Sequence, residues 1–131
     1  MSPDSRPLSP HLQIYRLPLT ALLSIAHRIS GASLGLAALA IAILFITAAV
    51  GESAYAVTHS IFASGPGRVL VWLFVYGFNF HLCNGVRHLV WDGGYALDLK
   101  SVDRGAMLVL VVSAVLTIVV MAVSASMRGG L

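Results

Sequence analysis

A histidine inside an apolar stretch of the chain has the clearest capacity for chemistry in this sequence. His81 lies within residues 69–86, a segment without Asp, Glu, Lys or Arg. In a membrane such a ring needs a partner, because an unpaired polar group in hydrocarbon costs several kcal/mol. Neutral imidazole is a common ligand of haem iron, so His81 is a candidate axial ligand. A hydrogen bond to a neighbouring helix would satisfy the ring as well, and the residue type alone does not choose between the two.

The neighbours of His81 fit either interpretation. Gly77 and Gly85 lie four residues before and after it and share its helical face, and His88 faces the same way. Small residues there leave room for a flat macrocycle or for the close approach of another helix. One deep histidine leaves a six-coordinate haem iron one axial ligand short. We expect the second ligand to come from another protein chain and not from His59, which the predicted topology places on the far side.

A second group of residues with capacity for chemistry lies earlier in the chain and follows helical spacing. Its members form one stripe, polar at the start and small further in: Ser24, His27, Arg28, Gly31 and Gly35. The Ser24 hydroxyl and the Arg28 guanidinium can converge on one carbonyl oxygen of a quinone. Arg28 would stabilise the negative charge that reduction places there, and haem propionates would suit Arg28 or His27. Alternatively, Arg28 only anchors the helix in the lipid headgroups.

The elements that carry these residues are predicted from composition. Of the 131 residues, 58% are hydrophobic and 10% are charged, whereas soluble domains carry about 25% charged residues. Residues 29–50, 69–86 and 105–127 lack Asp, Glu, Lys and Arg, and each approaches or exceeds the roughly 18–20 residues that cross a bilayer. Backbone groups in lipid must be paired within the segment, so these are helices. We predict an all-α membrane protein with three transmembrane helices, at about 20–50, 67–90 and 105–127, in one membrane-anchor domain over residues 1–131.

Shorter elements are predicted around the three spans. Ser9 followed by Pro10 favours a short N-terminal interfacial helix that Pro18 ends, and Thr20 is the expected N-cap of the first span. The segment 51–68, with turn residues at both ends, is expected to be a loop.

The basic residues predict the orientation of the chain. Six lie in the N-terminal segment, at the foot of the first span or in the loop between the second and third spans: Arg6, Arg16, Arg28, Arg87, Lys100 and Arg104. The other side has Arg68 and Arg128, so we expect the N-terminus to be cytoplasmic. The net charge of +3 then reflects topology and gives no sign of nucleic-acid binding. No targeting pattern is evident before the first span, which favours the inner membrane of a bacterium.

Three stretches of the sequence resemble one known family. They are Arg6-Pro7-Leu8-Ser9-Pro10-His11 with Tyr15, Ser24-Ile25-Ala26-His27-Arg28-Ile29-Ser30-Gly31, and His81-Leu82-Cys83-Asn84-Gly85-Val86-Arg87-His88 with Asp92. Their order and the three-span layout resemble the succinate dehydrogenase cytochrome b subunit, one of the membrane anchors of complex II. The resemblance covers nearly the whole chain, and the motifs are specific when taken together.

This resemblance implies a place in a four-subunit enzyme of the respiratory chain and the tricarboxylic acid cycle. A flavoprotein oxidises succinate, an iron–sulfur protein carries the electrons, and two small anchor subunits bind haem b and reduce ubiquinone. By the resemblance, His81 is an axial ligand of the haem iron and the second anchor subunit supplies the other. Ser24 and Arg28 line the quinone site, and His27 is similar to a residue near the haem propionates.

We therefore expect an electron-transfer anchor that is not catalytic alone. One alternative is the anchor of a fumarate reductase, which runs the chemistry in reverse. Another is a cofactor-free structural membrane subunit, in which the polar stripes serve only to pack helices together.

Overall fold

Three long helices and one short helix make up the described part of the chain. The computed structural model describes residues 16–129, and its helices are α1 (Leu19–Val50), α2 (Glu52–Ala63), α3 (Gly65–Asp92) and α4 (Leu99–Gly129). The helices α1, α3 and α4 are each long and apolar enough to cross a membrane. The predicted all-α membrane protein with three spans is therefore confirmed. The predicted N-terminal interfacial helix and the motif at residues 6–15 lie outside the described residues.

The ends of α1 are set by a proline and a glycine. Pro18 takes the N-cap position in place of the expected Thr20, and its carbonyl oxygen accepts the N–H groups of Ala21 and Leu22. Proline suits this position because the residue before a helix donates no hydrogen bond within it. Pro18 is extended, with a φ of −65° and a ψ of 155°. Gly51 ends the helix with a φ of 143°, which residues with side chains rarely adopt.

The segment expected to be a loop between the first two spans contains α2, so that expectation is wrong over residues 52–63. Gly51 separates α1 from α2 as a turn residue, but Gly65, Pro66 and Gly67 form the first turn of α3, and the 12 residues of α2 include neither Gly nor Pro. Glu52 in the first turn favours the helix, because negative charge is stabilised near a helix N-terminus. Ser64 then caps α3, its Oγ accepting the N–H of Gly67 at 3.1 Å.

The connection between α3 and α4 is shorter than the sequence predicted. The helix α4 begins at Leu99, ahead of the predicted start near residue 105. Asp98 favours that start, because its Oδ1 accepts the N–H of Ser101 at 3.0 Å. Hydrogen bonds from Ser101 also hold the pKa of the Asp98 carboxyl below its usual value. The basic residues assigned to a loop here lie within the two helices: Arg87, Lys100 and Arg104.

Polar side chains are buried inside this bundle while apolar ones face outward, the reverse of a soluble protein. The buried polar residues in the described part of the chain are Ser30, Asn79, Asn84, Arg87, Ser113 and Thr117. The buried hydrophobic residues there are Leu23, Phe80, Ala106 and Val109. Large apolar side chains such as Leu36 and Phe45 are more than half exposed, which suits contact with lipid or with a partner helix. The chain is a multi-pass membrane protein.

Asn79 links α3 to α4 inside the membrane. Its Nδ2 donates to Thr117 Oγ1 at 3.0 Å, and both side chains are buried. Asn79→Ala should lower the free energy of unfolding by about 1 kcal/mol, the scale of such bonds between membrane helices. Denaturant titration in detergent micelles measures the loss. Ser126→Ala removes a hydroxyl that donates to Val123 O of its own helix at 2.8 Å, so it should have little effect. Equal losses in the two variants would contradict the role of Asn79.

Candidate functional site

The two groups of candidate residues meet where the first part of α1 packs against the second half of α3. The helices run in opposite directions, so Ser33 of α1 lies by Gly77 of α3, while His27 lies by Gly85. The rings of His27 and His81 stack, with centroids 3.9 Å apart and planes inclined by 9°. One residue from each group in the sequence therefore takes part in the same contact.

One ring nitrogen of His81 is held by α1. Its Nδ1 lies 3.1 Å from the backbone oxygen of His27 and 3.2 Å from the Oγ of Ser30. The Ser30 hydroxyl donates to that same backbone oxygen at 2.9 Å. Among residues 16–127, no hydrogen-bond partner is found for the other nitrogen, Nε2. The interhelical hydrogen bond that was one interpretation of His81 is present, and it engages Nδ1 alone.

Small residues around His81 allow α1 to come close. A Cβ at Gly31 would lie 2.9 Å from Cε1 of the His81 ring, closer than Cβ atoms approach their neighbours. On α3, a Cβ at Gly85 would lie 4.0 Å from Cε1 of His27. A macrocycle and a helix were both candidates for the space beside the glycines of α3, and α1 fills it.

His88 extends the group of histidines toward the end of α3. Its ring centroid lies 5.2 Å from that of His27 and 5.2 Å from that of Trp91. Its Nε2 lies 3.4 Å from Nδ2 of the Asn84 side chain. His27 is therefore close to both histidines of α3, and these face the same way, as the spacing predicted.

Ser24 and Arg28 form a pair, one turn apart, near the start of α1. The Nη2 of Arg28 donates to the Oγ of Ser24 at 3.4 Å. The Arg28 side chain is exposed, whereas His27 beside it in the chain is turned toward α3. The pair therefore offers hydroxyl and guanidinium donors and a positive charge at the bundle surface, on the same part of α1 as His27.

His59 lies apart from these residues. It is on α2, where its ring centroid is 5.6 Å from that of Tyr55. The helix α2 ends just before α3 begins at Gly65. His81 is 16 residues beyond that start, about 24 Å along the helix axis. The structure does not bring His59 and His81 together.

Arg87 is a buried residue whose role sequence reasoning missed, since it was assigned to a loop. Its side chain is 8% exposed, its Nη1 donates to Asn84 Oδ1 at 3.3 Å and its Nη2 donates to Val102 O at 3.0 Å. The guanidinium carbon also lies 4.1 Å from the centroid of the Trp91 ring. Arg87 therefore fastens α3 to α4. The sequence does contain a signal for this role. Asn79 and Arg87 share a face of α3 that differs from the face of His81, which indicates that a second helix packs there.

Comparison with known proteins decides the family. The model of the succinate dehydrogenase/fumarate reductase transmembrane subunit family matches residues 2–120. The chain belongs to this family. It is similar to the succinate dehydrogenase cytochrome b556 subunit of Paracoccus denitrificans, at 36% identity over 88% of this chain and 92% of that protein.

Other members of the family are similar over most of their length. The succinate dehydrogenase cytochrome b560 subunit of Marchantia polymorpha is 38% identical over 87% of each chain. The protein of the same name from Reclinomonas americana is 40% identical over 75% of this chain and 72% of that protein. The resemblance found in the sequence motifs is therefore confirmed at the level of the family.

Gly31→Ala tests the close approach of α1 to His81. The added methyl group should push the imidazole away from α1 and lower the free energy of unfolding by about 1–3 kcal/mol. Gly35→Ala is the matched control one turn further on, because a Cβ there meets nothing within 4 Å. Both variants are compared with the original chain by denaturant titration in detergent. If Gly31→Ala unfolds at the same denaturant concentration as Gly35→Ala, the close contact between Gly31 and the His81 ring is wrong.

Proposed function

We propose that this chain is the haem b- and quinone-binding membrane anchor subunit of a succinate dehydrogenase. It passes electrons from the iron–sulfur subunit to ubiquinone, and residues 1–131 form one membrane-anchor domain. The observation that carries the proposal is the hydrogen bonding of His81, which engages Nδ1 and leaves Nε2 for a metal. The names of the relatives, cytochrome b556 and b560 subunits, support haem b as the group.

The surroundings of His81 fit a ligand of haem iron. A histidine that binds a metal usually donates its other ring N–H to a carboxylate, a carbonyl or water, which fixes its tautomer and orientation. The backbone oxygen of His27, 3.1 Å from Nδ1, is such an acceptor. Bound haem b supplies a one-electron redox centre, whereas this chain supplies the ligand and holds its ring. His27 and Arg28 are the residues of this chain proposed to lie near the propionates.

The second axial ligand comes from the other membrane anchor subunit. Two residues that held the same haem iron would have the metal between them, so their rings would not lie against each other. Because the rings of His27 and His81 are stacked 3.9 Å apart, His27 is not arranged as that ligand. A haem held by two subunits would also stabilise their assembly, since it binds the assembled state.

Ser24 and Arg28 bind the quinone. Both carry hydrogen-bond donors, and the contact between them brings these donors to one place on the surface of α1. A carbonyl oxygen of the quinone accepts from them, and the Arg28 charge stabilises the negative charge that develops on reduction. The hydroxyl of Ser24 orients the ring by donating to the same oxygen.

The family and the apolar surface support a proposal for the partners and the location. The iron–sulfur and flavoprotein subunits complete the enzyme, and the lipid bilayer and the second anchor cover the exposed apolar side chains. We place the chain in the inner membrane of a bacterium with its N-terminus in the cytoplasm. Ser24 and Arg28, near the start of α1, then lie at the cytoplasmic end of the bundle, where electrons arrive from the iron–sulfur subunit.

A fumarate reductase anchor would use the same residues in the reverse direction. The family description covers both enzymes, but the relatives are named as subunits of succinate dehydrogenase, which favours that direction. Rates of succinate oxidation and fumarate reduction by the purified complex distinguish the two. An optical spectrum of the same complex without b-type bands after dithionite reduction would support the cofactor-free alternative.

His81→Leu tests the haem ligand. The substitution removes the imidazole while keeping an apolar side chain, so the purified complex should lose most of its b-type absorbance. His59→Leu makes the same change on α2 and should leave the absorbance as it was. An unchanged spectrum in His81→Leu would rule out this residue as a ligand.

Ser24→Ala and Arg28→Leu test the quinone site. Each removes one donor to the quinone oxygen, so quinone reduction should fall by about tenfold or more, the scale of losing a donor to a developing charge. Succinate oxidation with an artificial soluble dye should stay near its original rate, because the dye takes electrons before this anchor. Arg68→Leu, on the other side of the membrane, should affect neither rate. Equal loss of both activities would indicate failed assembly and contradict a role confined to the quinone.

A further inference from the structure

The hydroxyl of Ser30 lies between α1 and the ring of His81. Ser30 is 8% exposed, and its Oγ is 2.9 Å from the backbone oxygen of His27 and 3.2 Å from His81 Nδ1. The third side of this triangle, from Nδ1 to the backbone oxygen, is 3.1 Å. Three polar atoms therefore meet within hydrogen-bonding distance in a partly buried place, and their protons must be shared in a defined way.

The carbonyl oxygen in this triangle decides where the proton of the His81 ring resides. A carbonyl oxygen can only accept, so a lone pair on Nδ1 facing it at 3.1 Å would be repelled, whereas an N–H there is stabilised. The Ser30 hydroxyl can donate to the His27 oxygen and accept from Nδ1–H with its own lone pair. This arrangement places the proton on Nδ1 and the free lone pair on Nε2.

We propose that Ser30 is a positioning residue: as a second acceptor for Nδ1–H beside the His27 carbonyl oxygen, it holds the rotation of the His81 ring and reinforces the tautomer that binds iron through Nε2. This inference rests on the proposed function, in which His81 holds the haem. An acceptor for Nδ1–H makes the imidazole a stronger electron donor, so Ser30 also lowers the midpoint potential of the haem.

Ser33, one turn further along α1, is a serine that makes the same bond within the helix but no hydrogen bond to His81. Its hydroxyl donates to the backbone oxygen of Ser30 at 2.8 Å, the same bond to the residue three positions back that Ser30 makes. Its hydrogen bond stays within its own helix, whereas the hydroxyl of Ser30 also reaches α3. The two residues are thus a matched pair that separates a bond within the helix from contact with His81.

The test compares Ser30→Ala, Ser30→Thr and Ser33→Ala in the complete purified complex. Haem content per complex after extended washing and the midpoint potential of the haem are measured, along with activity. Ser30→Ala should hold haem about tenfold less tightly, the lower end of what loss of a group orienting a metal ligand costs, and its midpoint potential should rise. Ser30→Thr keeps the hydroxyl and should restore both values, and Ser33→Ala should match the original complex.

Each outcome bears on a separate claim. If the original complex contains no haem, the proposed function fails. If it contains haem, and Ser30→Ala behaves like Ser33→Ala in both content and potential, the role of Ser30 is overturned while His81 stands as ligand. Should Ser30→Ala assemble poorly, Ser30→Cys keeps the size of the side chain but weakens the hydrogen bonds. A potential unchanged in Ser30→Cys would overturn the proposal equally.

Discussion

The contact between His81 and α1 is the constraint from which the arrangement of the bundle follows. A ring inside a membrane needs polar partners from protein or from a cofactor, because lipid offers none. Here α1 supplies them to Nδ1 through the backbone oxygen of His27 and the hydroxyl of Ser30. These hydrogen bonds require glycine at position 31, because any side chain there would clash with the His81 ring. Helix packing and the proposed iron chemistry thus rest on the same few atoms.

The helix α3 can hold His81 in place because it is fastened on two faces. One face carries His81 and the glycines and packs on α1, and the other carries Asn79 and Arg87 and bonds to α4. Rotation of α3 that moved His81 would break the bonds to α4, in a place where water cannot replace them. The outer surface is left apolar, which suits contact with lipid or with the proposed second anchor subunit.

The features that the sequence predicted well are those that depend on composition or on spacing within one helix. The three spans follow from the cost of charge in lipid, and the Ser24–Arg28 pair follows from residues four apart on one helix. Helical spacing also predicted that Gly85 and His88 lie on the same face of α3 as His81. Local pattern was enough for all of these.

What the sequence did not predict depends on contacts between distant parts of the chain. Ser30 is an ordinary serine until α1 meets α3, 51 positions away in sequence at His81. Arg87 counted as a loop cation because it directly follows the uncharged stretch 69–86, and its contact with Val102 O of α4 has no local signal in the sequence. The helix α2 was missed because turn residues bound it closely on both sides, which resembles the ends of a loop.

The central claim is that α1 holds Nδ1 of His81 so that Nε2 is left to bind iron. A cryo-electron microscopy structure of the complete complex, purified with its haem, tests it most directly. We predict that iron is bonded to Nε2 of His81, with Nδ1 within hydrogen-bonding distance of the His27 backbone oxygen and the Ser30 hydroxyl. Iron bonded to Nδ1, or held by another residue of this chain, would contradict the claim.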